Sequence, residues 1–150
     1  MLVYRITLAK YATAIKASGR AARWNPNEVE MVYTSGSMSL ACLENVVHRN
    51  QIGLNSPFKV LTVEIPDDLL ILSIPKKSLE DNWSSFENLP ITQKLGAQWV
   101  LELKSAILRV PSSIIEGEFN YLLNPNHPDF EIIKLLKSQP FVFDPRIKGI

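Results

Sequence analysis

Short apolar runs that follow one another with no helix between them limit the folds open to this chain. Residues 58–65 and 69–74 are two such runs, and Pro66 and Pro75 bound the second of them. Their aliphatic and β-branched side chains favour strands, and proline lies at strand ends because it cannot donate to a sheet. Similar runs predict strands at residues 2–6, 31–35, 106–110 and 119–123, and one or two more within residues 130–143.

Three other segments have the spacing of helices. The predicted helices are residues 8–18 before Gly19, a segment opened by Gly36 or Ser37 and running to Val47, and a segment from Thr92 to Leu103. Because several strands are joined without a helix, we predict the α+β class. The expected architecture is one domain over residues 1–150, with a mixed or largely antiparallel central sheet and flanking helices.

Composition excludes several classes of partner. The formal net charge is only +1, so no strong field draws the protein to a nucleic-acid backbone, and we expect no direct nucleic-acid binding. No stretch approaches the roughly 18 apolar residues of a membrane span, and the N-terminus lacks the pattern of a signal peptide. We therefore expect a cytoplasmic protein that does not bind membranes.

Common catalytic motifs are missing from the sequence. There is no glycine-rich phosphate loop and no GxSxG nucleophile motif. His48 and His127 are too far apart in sequence to form a helical pair of histidine zinc ligands, so we expect no metal site. We interpret Cys42 as a small core residue, His48 as a cation at a helix end and His127 as a turn residue. Any enzyme chemistry should then rely on a carboxylate and cations.

Three stretches of the sequence resemble the RES domain family. They are Arg23-Trp24-Asn25, then Val32-Tyr33-Thr34-Ser35 with Leu40-Ala41-Cys42-Leu43-Glu44, and finally Val110-Pro111-Ser112-Ser113 with residues 120–128. The family takes its name from an arginine, a glutamate and a serine, which match Arg23, Glu44 and Ser112 here. The resemblance covers nearly the whole chain. One departure is the pair Ala21-Ala22, where the family usually has two glycines.

The resemblance implies a fold, a substrate and a partner. It implies a fold similar to that of ADP-ribosyltransferases, and a toxin of a bacterial toxin–antitoxin pair that breaks the nicotinamide–ribose bond of NAD. NAD is then the substrate and no metal is needed. The expected partner is a DNA-binding, Xre-like antitoxin that covers the active site. A toxin homodimer is also implied, and the apolar runs at residues 69–74 and 130–143 are candidate faces for it.

Within this resemblance, individual residues receive roles on chemical grounds. Losing nicotinamide leaves positive charge on the ribose, which a carboxylate stabilises, and Glu44 is the candidate. An arginine fork binds a diphosphate well, so we assign Arg23 to it, with Arg5 second. The ring of Tyr33 would stack on the cationic nicotinamide. The expected catalytic residues are Glu44, Arg23 and Ser112, and the expected NAD-binding residues are Arg5, Arg23, Tyr33, Ser112 and Asn124.

Other readings of the same residues stay open. The same site would serve a protein ADP-ribosyltransferase, and the Ala21-Ala22 departure would be compatible with a non-catalytic module that binds an antitoxin. Without the resemblance, Glu44 would be an ordinary solvated helix carboxylate and Tyr33 a half-buried strand residue. We expect Arg20 to be a surface cation, and Trp24 and Trp99 to form core or pocket wall.

Overall fold

A seven-stranded mixed sheet organises the protein. The computed structural model describes residues 1–48 and 56–149. Its strands are β1 (Leu2–Leu8), β2 (Val32–Ser35), β3 (Phe58–Glu64), β4 (Ile71–Ser73), β5 (Ile107–Pro111), β6 (Phe119–Leu123) and β7 (Lys134–Phe141). Their order across the sheet is β4-β5-β6-β2-β1-β3-β7, and every neighbouring pair is antiparallel except β4 with β5. The predicted α+β class with a mixed sheet is confirmed.

Two α-helices, α1 (Met38–His48) and α2 (Leu89–Glu102), cover one face of the sheet. Ala41 of α1 packs with Ile6 of β1, and Trp99 of α2 packs with Leu122 of β6. Successive residues of a strand point to opposite faces of the sheet, as Leu122 and Leu123 do. Ile6 and Leu122 point to the face that the helices cover. Leu123 belongs to the core of the other face, where irregular chain covers it.

The predicted helix over residues 8–18 is wrong. Only Ala9–Tyr11 forms a single 3-10 turn, and the chain beyond it is irregular. Ala12 packs into the core of the sheet face opposite the α-helices, and its carbonyl accepts a hydrogen bond from Ser138 of β7 at 3.0 Å instead of from a following helical turn. Packing across the sheet therefore outweighs a weak helical pattern made mostly of small residues.

The other predicted helices form, with shifted ends. Ser37 accepts a hydrogen bond from the Leu40 amide and so caps the start of α1. The second helix begins at Leu89 rather than Thr92, because Pro90 is favourable in a first turn. Leu103, which we expected inside the helix, takes a left-handed conformation with φ of 50° and ends it.

The remaining predicted elements are present. Strands form at all the predicted runs, and residues 130–143 supply β7 after a 3-10 turn at Pro128–Ile132. His127 caps the start of this turn and accepts a hydrogen bond from the Asp129 amide. Cys42 is half-buried against the core under α1. Neither described helix is long and apolar enough to cross a membrane.

Candidate active site

A cavity opens where two strands of the sheet separate. Within the described residues, β1 and β2 pair only at Tyr4 and Ser35. Beyond this position the strands part, and a cavity of about 570 Å³ lies between them, α1 and the loop before β2. This volume is typical of small-molecule sites.

Two side chains replace the hydrogen bonds that β1 and β2 do not make with each other. Arg5 Nη1 donates to the Tyr33 carbonyl at 3.0 Å, and Asn45 Nδ2 donates to the Ile6 carbonyl at 3.0 Å. Buried carbonyls need such partners, since leaving one unsatisfied costs about 1–3 kcal/mol. Arg5 and Asn45 therefore keep the split open at low cost, and both line the cavity.

The loop between residues 20 and 29 is organised by one buried side chain. Asn25 is 1% exposed, and its Nδ2 donates to the carbonyls of Arg20, Pro26 and Val29. Its Oδ1 accepts from the hydroxyl of Tyr33 at 2.6 Å. One amide thus ties the loop to itself and to β2, because asparagine offers both donors and an acceptor.

Helix α2 holds the same loop from its other side. Thr92 Oγ1 donates to the Arg23 carbonyl at 2.6 Å, and Gln93 Nε2 donates to the Ala22 carbonyl at 2.9 Å. A Cβ on Gly96 would lie 1.7 Å from the Trp24 carbonyl oxygen, so only glycine permits this approach. The position of Arg23 is consequently set by a rigid helix.

Arg23 presents a guanidinium whose hydrogen-bonding capacity is not used within the described residues. Its Nε and Nη1 atoms are buried and have no hydrogen-bond partner there. Burial lowers the pKa of Arg23 from its ordinary value, while the negative charge of Glu44 acts in the opposite direction. Arg23 also lines the cavity, so its positive charge can attract an anion there. Trp83 lies beneath the guanidinium, with its ring 5.8 Å from the guanidinium carbon.

Tyr33 contributes a ring to the cavity while its hydroxyl is fixed. Besides donating to Asn25, the hydroxyl oxygen accepts from the Trp24 amide at 3.0 Å. Burial raises the pKa of Tyr33 well above its ordinary value, although these hydrogen bonds and the charge of Arg23 oppose the shift. Tyr33 is therefore neutral throughout the physiological range, and its ring is the part available to a ligand.

Glu44 of α1 is the carboxylate of the cavity. Its Oε1 accepts a hydrogen bond from Asn120 Nδ2 at 2.7 Å, and its Oε2 lies 3.3 Å from His48 Nε2. The side chain is 19% exposed, so it is shielded yet reachable. The hydrogen bond from Asn120 therefore holds one carboxylate oxygen in a fixed place at the cavity.

Ser112 lies beside the cavity and serves mainly the local chain. Its hydroxyl oxygen accepts from the amides of Ile114 and Ile115, both at 3.1 Å. The hydroxyl also points to Glu44 Oε1 at 3.5 Å, which is a long contact. The geometry brings Ser112 to Glu44 rather than into the open volume.

Asn124 lies outside the lining of the cavity. It is fully buried, donates to the Val100 carbonyl and accepts from the Asn126 amide. Of the six site residues expected from the sequence, four line the cavity, Ser112 stands behind Glu44 and Asn124 does not reach it. The structure thus places Asn124 apart from the other expected site residues, and its polar atoms have partners within the fold.

Sequence reasoning missed several residues that line or shape the cavity. Asn120 and Ser35 form a hydrogen-bonded pair beside Glu44, and Asn45 bridges α1 to β1. A signal was present, since Ser35 and Asn120 are polar residues in apolar strands. Ala21 and Ala22 line the cavity with their methyl groups, and neither takes the positive φ that would require glycine. No group of three or more metal-ligating side chains occurs among the described residues.

Fold and cavity together define a single-domain α+β protein with a ligand-sized cavity at a split in its sheet. The RES domain family matches residues 2–144, and the chain belongs to this family. The chain is 37% identical over 127 residues to the "Prs ADP-ribosylating toxin" of Sphingobium sp. (strain YBL2), covering 83% of this chain and 79% of that protein. It is 35% identical to "Toxin Res" of Yersinia enterocolitica, over 99% of this chain and all of that one.

A solved structure shares the fold. A chain from the crystal structure of the M. tuberculosis MbcT-MbcA toxin-antitoxin complex matches with a TM-score of 0.71, covering 94% of this chain and 84% of that chain. The two sequences are 20% identical, so this likeness concerns the fold.

Proposed function

We propose that this protein is a toxin that breaks the nicotinamide–ribose bond of NAD. The observation that carries the proposal is the convergence of Glu44, Arg23 and Tyr33 on one cavity. A carboxylate, an arginine fork and an aromatic face match the ribose, diphosphate and nicotinamide of NAD. The names of the RES relatives, which call both of them toxins, support the toxin part of the proposal.

In the proposed reaction, Glu44 acts at the ribose. As the C–N bond breaks, its electron pair leaves with nicotinamide and positive charge develops on the sugar. A shielded carboxylate stabilises that charge more than it does in water, and it orients the group that attacks the sugar. The partial burial of Glu44 and its fixed hydrogen bonds suit this role.

Arg23 and Tyr33 hold the substrate in this proposal. Arg23 lines the cavity, and its guanidinium would bind the diphosphate through charge-assisted hydrogen bonds. The Tyr33 ring would stack on the cationic nicotinamide, an interaction of roughly 0.5–2 kcal/mol. Arg5 is bound to the Tyr33 carbonyl and so assists by shaping the split and by its charge.

Nicotinamide release from NAD tests the proposal. We expect Glu44→Gln to lower the rate by about 100-fold or more, the effect of losing a positioned catalytic group. Glu30→Gln, an exposed position outside the cavity lining, is the matched control and should retain activity. Reactions with and without phosphate distinguish ADP-ribose from its 1″-phosphate as product. Full activity of Glu44→Gln would contradict the assigned role.

A second candidate is transfer of ADP-ribose to a protein, favoured by the name of the Sphingobium relative. The same residues would act, and a protein side chain would replace water or phosphate as acceptor. Labelled NAD added to a lysate distinguishes the two, since only this reaction leaves the label on a protein. A folded protein that neither releases nicotinamide nor labels protein would instead be a non-catalytic antitoxin-binding module.

We further propose that this protein is cytoplasmic. Its proposed partner is an Xre-like DNA-binding antitoxin that covers the cavity. Support comes from the fold shared with a chain of a toxin-antitoxin complex. A homodimer is also proposed, because both apolar runs form edge strands with exposed side chains, Leu70 beside β4 and Leu136 and Val142 on or after β7. Light scattering of the free protein tests the dimer, and a monomer at micromolar concentration would contradict it.

A further inference from the structure

Two polar side chains face each other across β2 and β6 and end at Glu44. Ser35 and Asn120 are direct cross-strand partners, and Ser35 is 4% exposed. Ser35 Oγ donates to Asn120 Oδ1 at 2.7 Å, and Asn120 Nδ2 donates to Glu44 Oε1 at 2.7 Å. The chain of hydrogen bonds therefore runs from the sheet to the carboxylate of the cavity.

The hydroxyl of Ser35 and the carboxylate of Glu44 together fix which way the amide of Asn120 points. An amide has an acceptor end and a donor end, and a reversed Asn120 would place its oxygen against the carboxylate of Glu44. Because Ser35 donates to Oδ1, the NH₂ group is directed to Glu44. Both residues are on strands, so the direction is set by the register of β2 with β6 rather than by a mobile loop.

We propose that Asn120, oriented by Ser35, is a positioning residue that fixes Glu44 for the reaction. This inference rests on the proposed function, since Glu44 is the group it serves. Glu44 lies on α1, whereas Asn120 lies on β6. The hydrogen bond from Asn120 to Glu44 therefore ties the helix to the sheet at the reacting group. Without it, Glu44 keeps its neighbours His48 and Arg23, which face it from α1 and from the loop. The positive charge of Arg23 would then draw the carboxylate away from the place that Asn120 gives it.

Three variants test the proposal by NAD turnover. Asn120→Ala should lower kcat by about 10- to 100-fold, as expected for a displaced catalytic group, while KM for NAD is unchanged. Ser35→Ala should have a smaller effect in the same direction, because the amide remains but is then oriented by Glu44 alone. Asn82→Asp is the control, since it is exposed and outside the cavity lining.

Asn120→Asp gives the readout that a structural role would not produce. It places a second carboxyl beside Glu44, and two carboxyls so close retain one proton to higher pH than either would alone. That proton lets the new carboxyl donate to Glu44 as the amide did. Activity of Asn120→Asp should therefore recover as the pH is lowered, whereas Asn82→Asp follows the wild-type pH profile.

The outcomes separate this inference from the proposed function. If the wild-type protein consumes NAD and Asn120→Ala has the same kcat, the positioning role is overturned and the proposed function stands. A wild-type protein that is folded but consumes no NAD overturns both. Loss of activity in Asn120→Asp with no recovery at low pH also overturns the positioning role, provided that thermal unfolding shows the variant folded.

Discussion

Replacing Gly96 by alanine tests how the cavity loop is held. In most helices this change is stabilising by about 0.5–1 kcal/mol, because glycine is the more flexible residue in the unfolded chain. Here the added Cβ would lie 1.7 Å from the Trp24 carbonyl oxygen and 2.8 Å from its carbon. Contacts below 3.0 Å are essentially never observed for Cβ, so the two backbones must separate by more than about 1 Å.

The size of the effect follows from what this separation breaks. Overpacking costs typically about 1–3 kcal/mol, and here the obstructing group is backbone that cannot rotate away. The hydrogen bonds from Thr92 to Arg23 and from Gln93 to Ala22 would also lengthen, at about 1 kcal/mol each. After subtracting the gain in helix propensity, we expect the free energy of unfolding to fall by roughly 2–4 kcal/mol. For a chain of this length, that lowers Tm by roughly 5–15 °C.

Urea and thermal unfolding measure the loss, and NAD binding measures its effect on Arg23. We expect Gly96→Ala to weaken NAD binding as well as stability, since the Arg23 carbonyl is anchored to α2. Gly19→Ala is the comparison, because a Cβ there meets nothing within 4 Å and the positive φ alone should cost about 1 kcal/mol. A Gly96→Ala protein as stable as wild type would refute the close packing of loop and helix.

Three further variants probe single contacts. Thr92→Val keeps the shape but removes the hydrogen bond to the Arg23 carbonyl, so stability should fall by about 1 kcal/mol in urea unfolding and KM for NAD should rise. Because burial raises the pKa of Tyr33, the folded state holds that proton more firmly than the unfolded chain does. The free energy of unfolding should fall as pH rises above about 10, and fall less in Tyr33→Phe. Ser112→Ala should destabilise the protein by about 1–2 kcal/mol, because the amides of Ile114 and Ile115 lose their acceptor. It should slow NAD turnover far less than Glu44→Gln does. A loss of turnover equal to that of Glu44→Gln would instead assign Ser112 a part in the reaction.

Much of the fold could be predicted because local pattern and tertiary packing agree. The run at residues 58–65 is apolar on both faces, as a central strand requires, and β3 lies between β1 and β7. The α1 segment combines an N-capping Ser37 with apolar residues at helical spacing, so the start and length of the helix could be predicted. Agreement of this kind between levels is what makes an element predictable.

The predicted helix over residues 8–18 is wrong because the local sequence pattern and the tertiary packing disagree there. Alanines at positions 12, 14 and 17 fit a helix but provide no broad apolar stripe to bury. The sheet offers this segment another arrangement, with Ala12 in the core and its carbonyl bonded to Ser138, 126 residues away. A contact at that distance in sequence is invisible to periodicity.

The candidate site shows the same division between local and distant information. Arg23, Tyr33 and Glu44 could be selected because a family resemblance marks them, and the structure brings all three to one cavity. The cavity itself could not be predicted, because it exists only where β1 and β2 stop pairing and Arg5 and Asn45 satisfy the released carbonyls. Such a split costs little only when side chains replace the ladder hydrogen bonds. Polar residues inside apolar strands are therefore the sequence signal to examine first, since they mark where a sheet gives up its own hydrogen bonds to form a site.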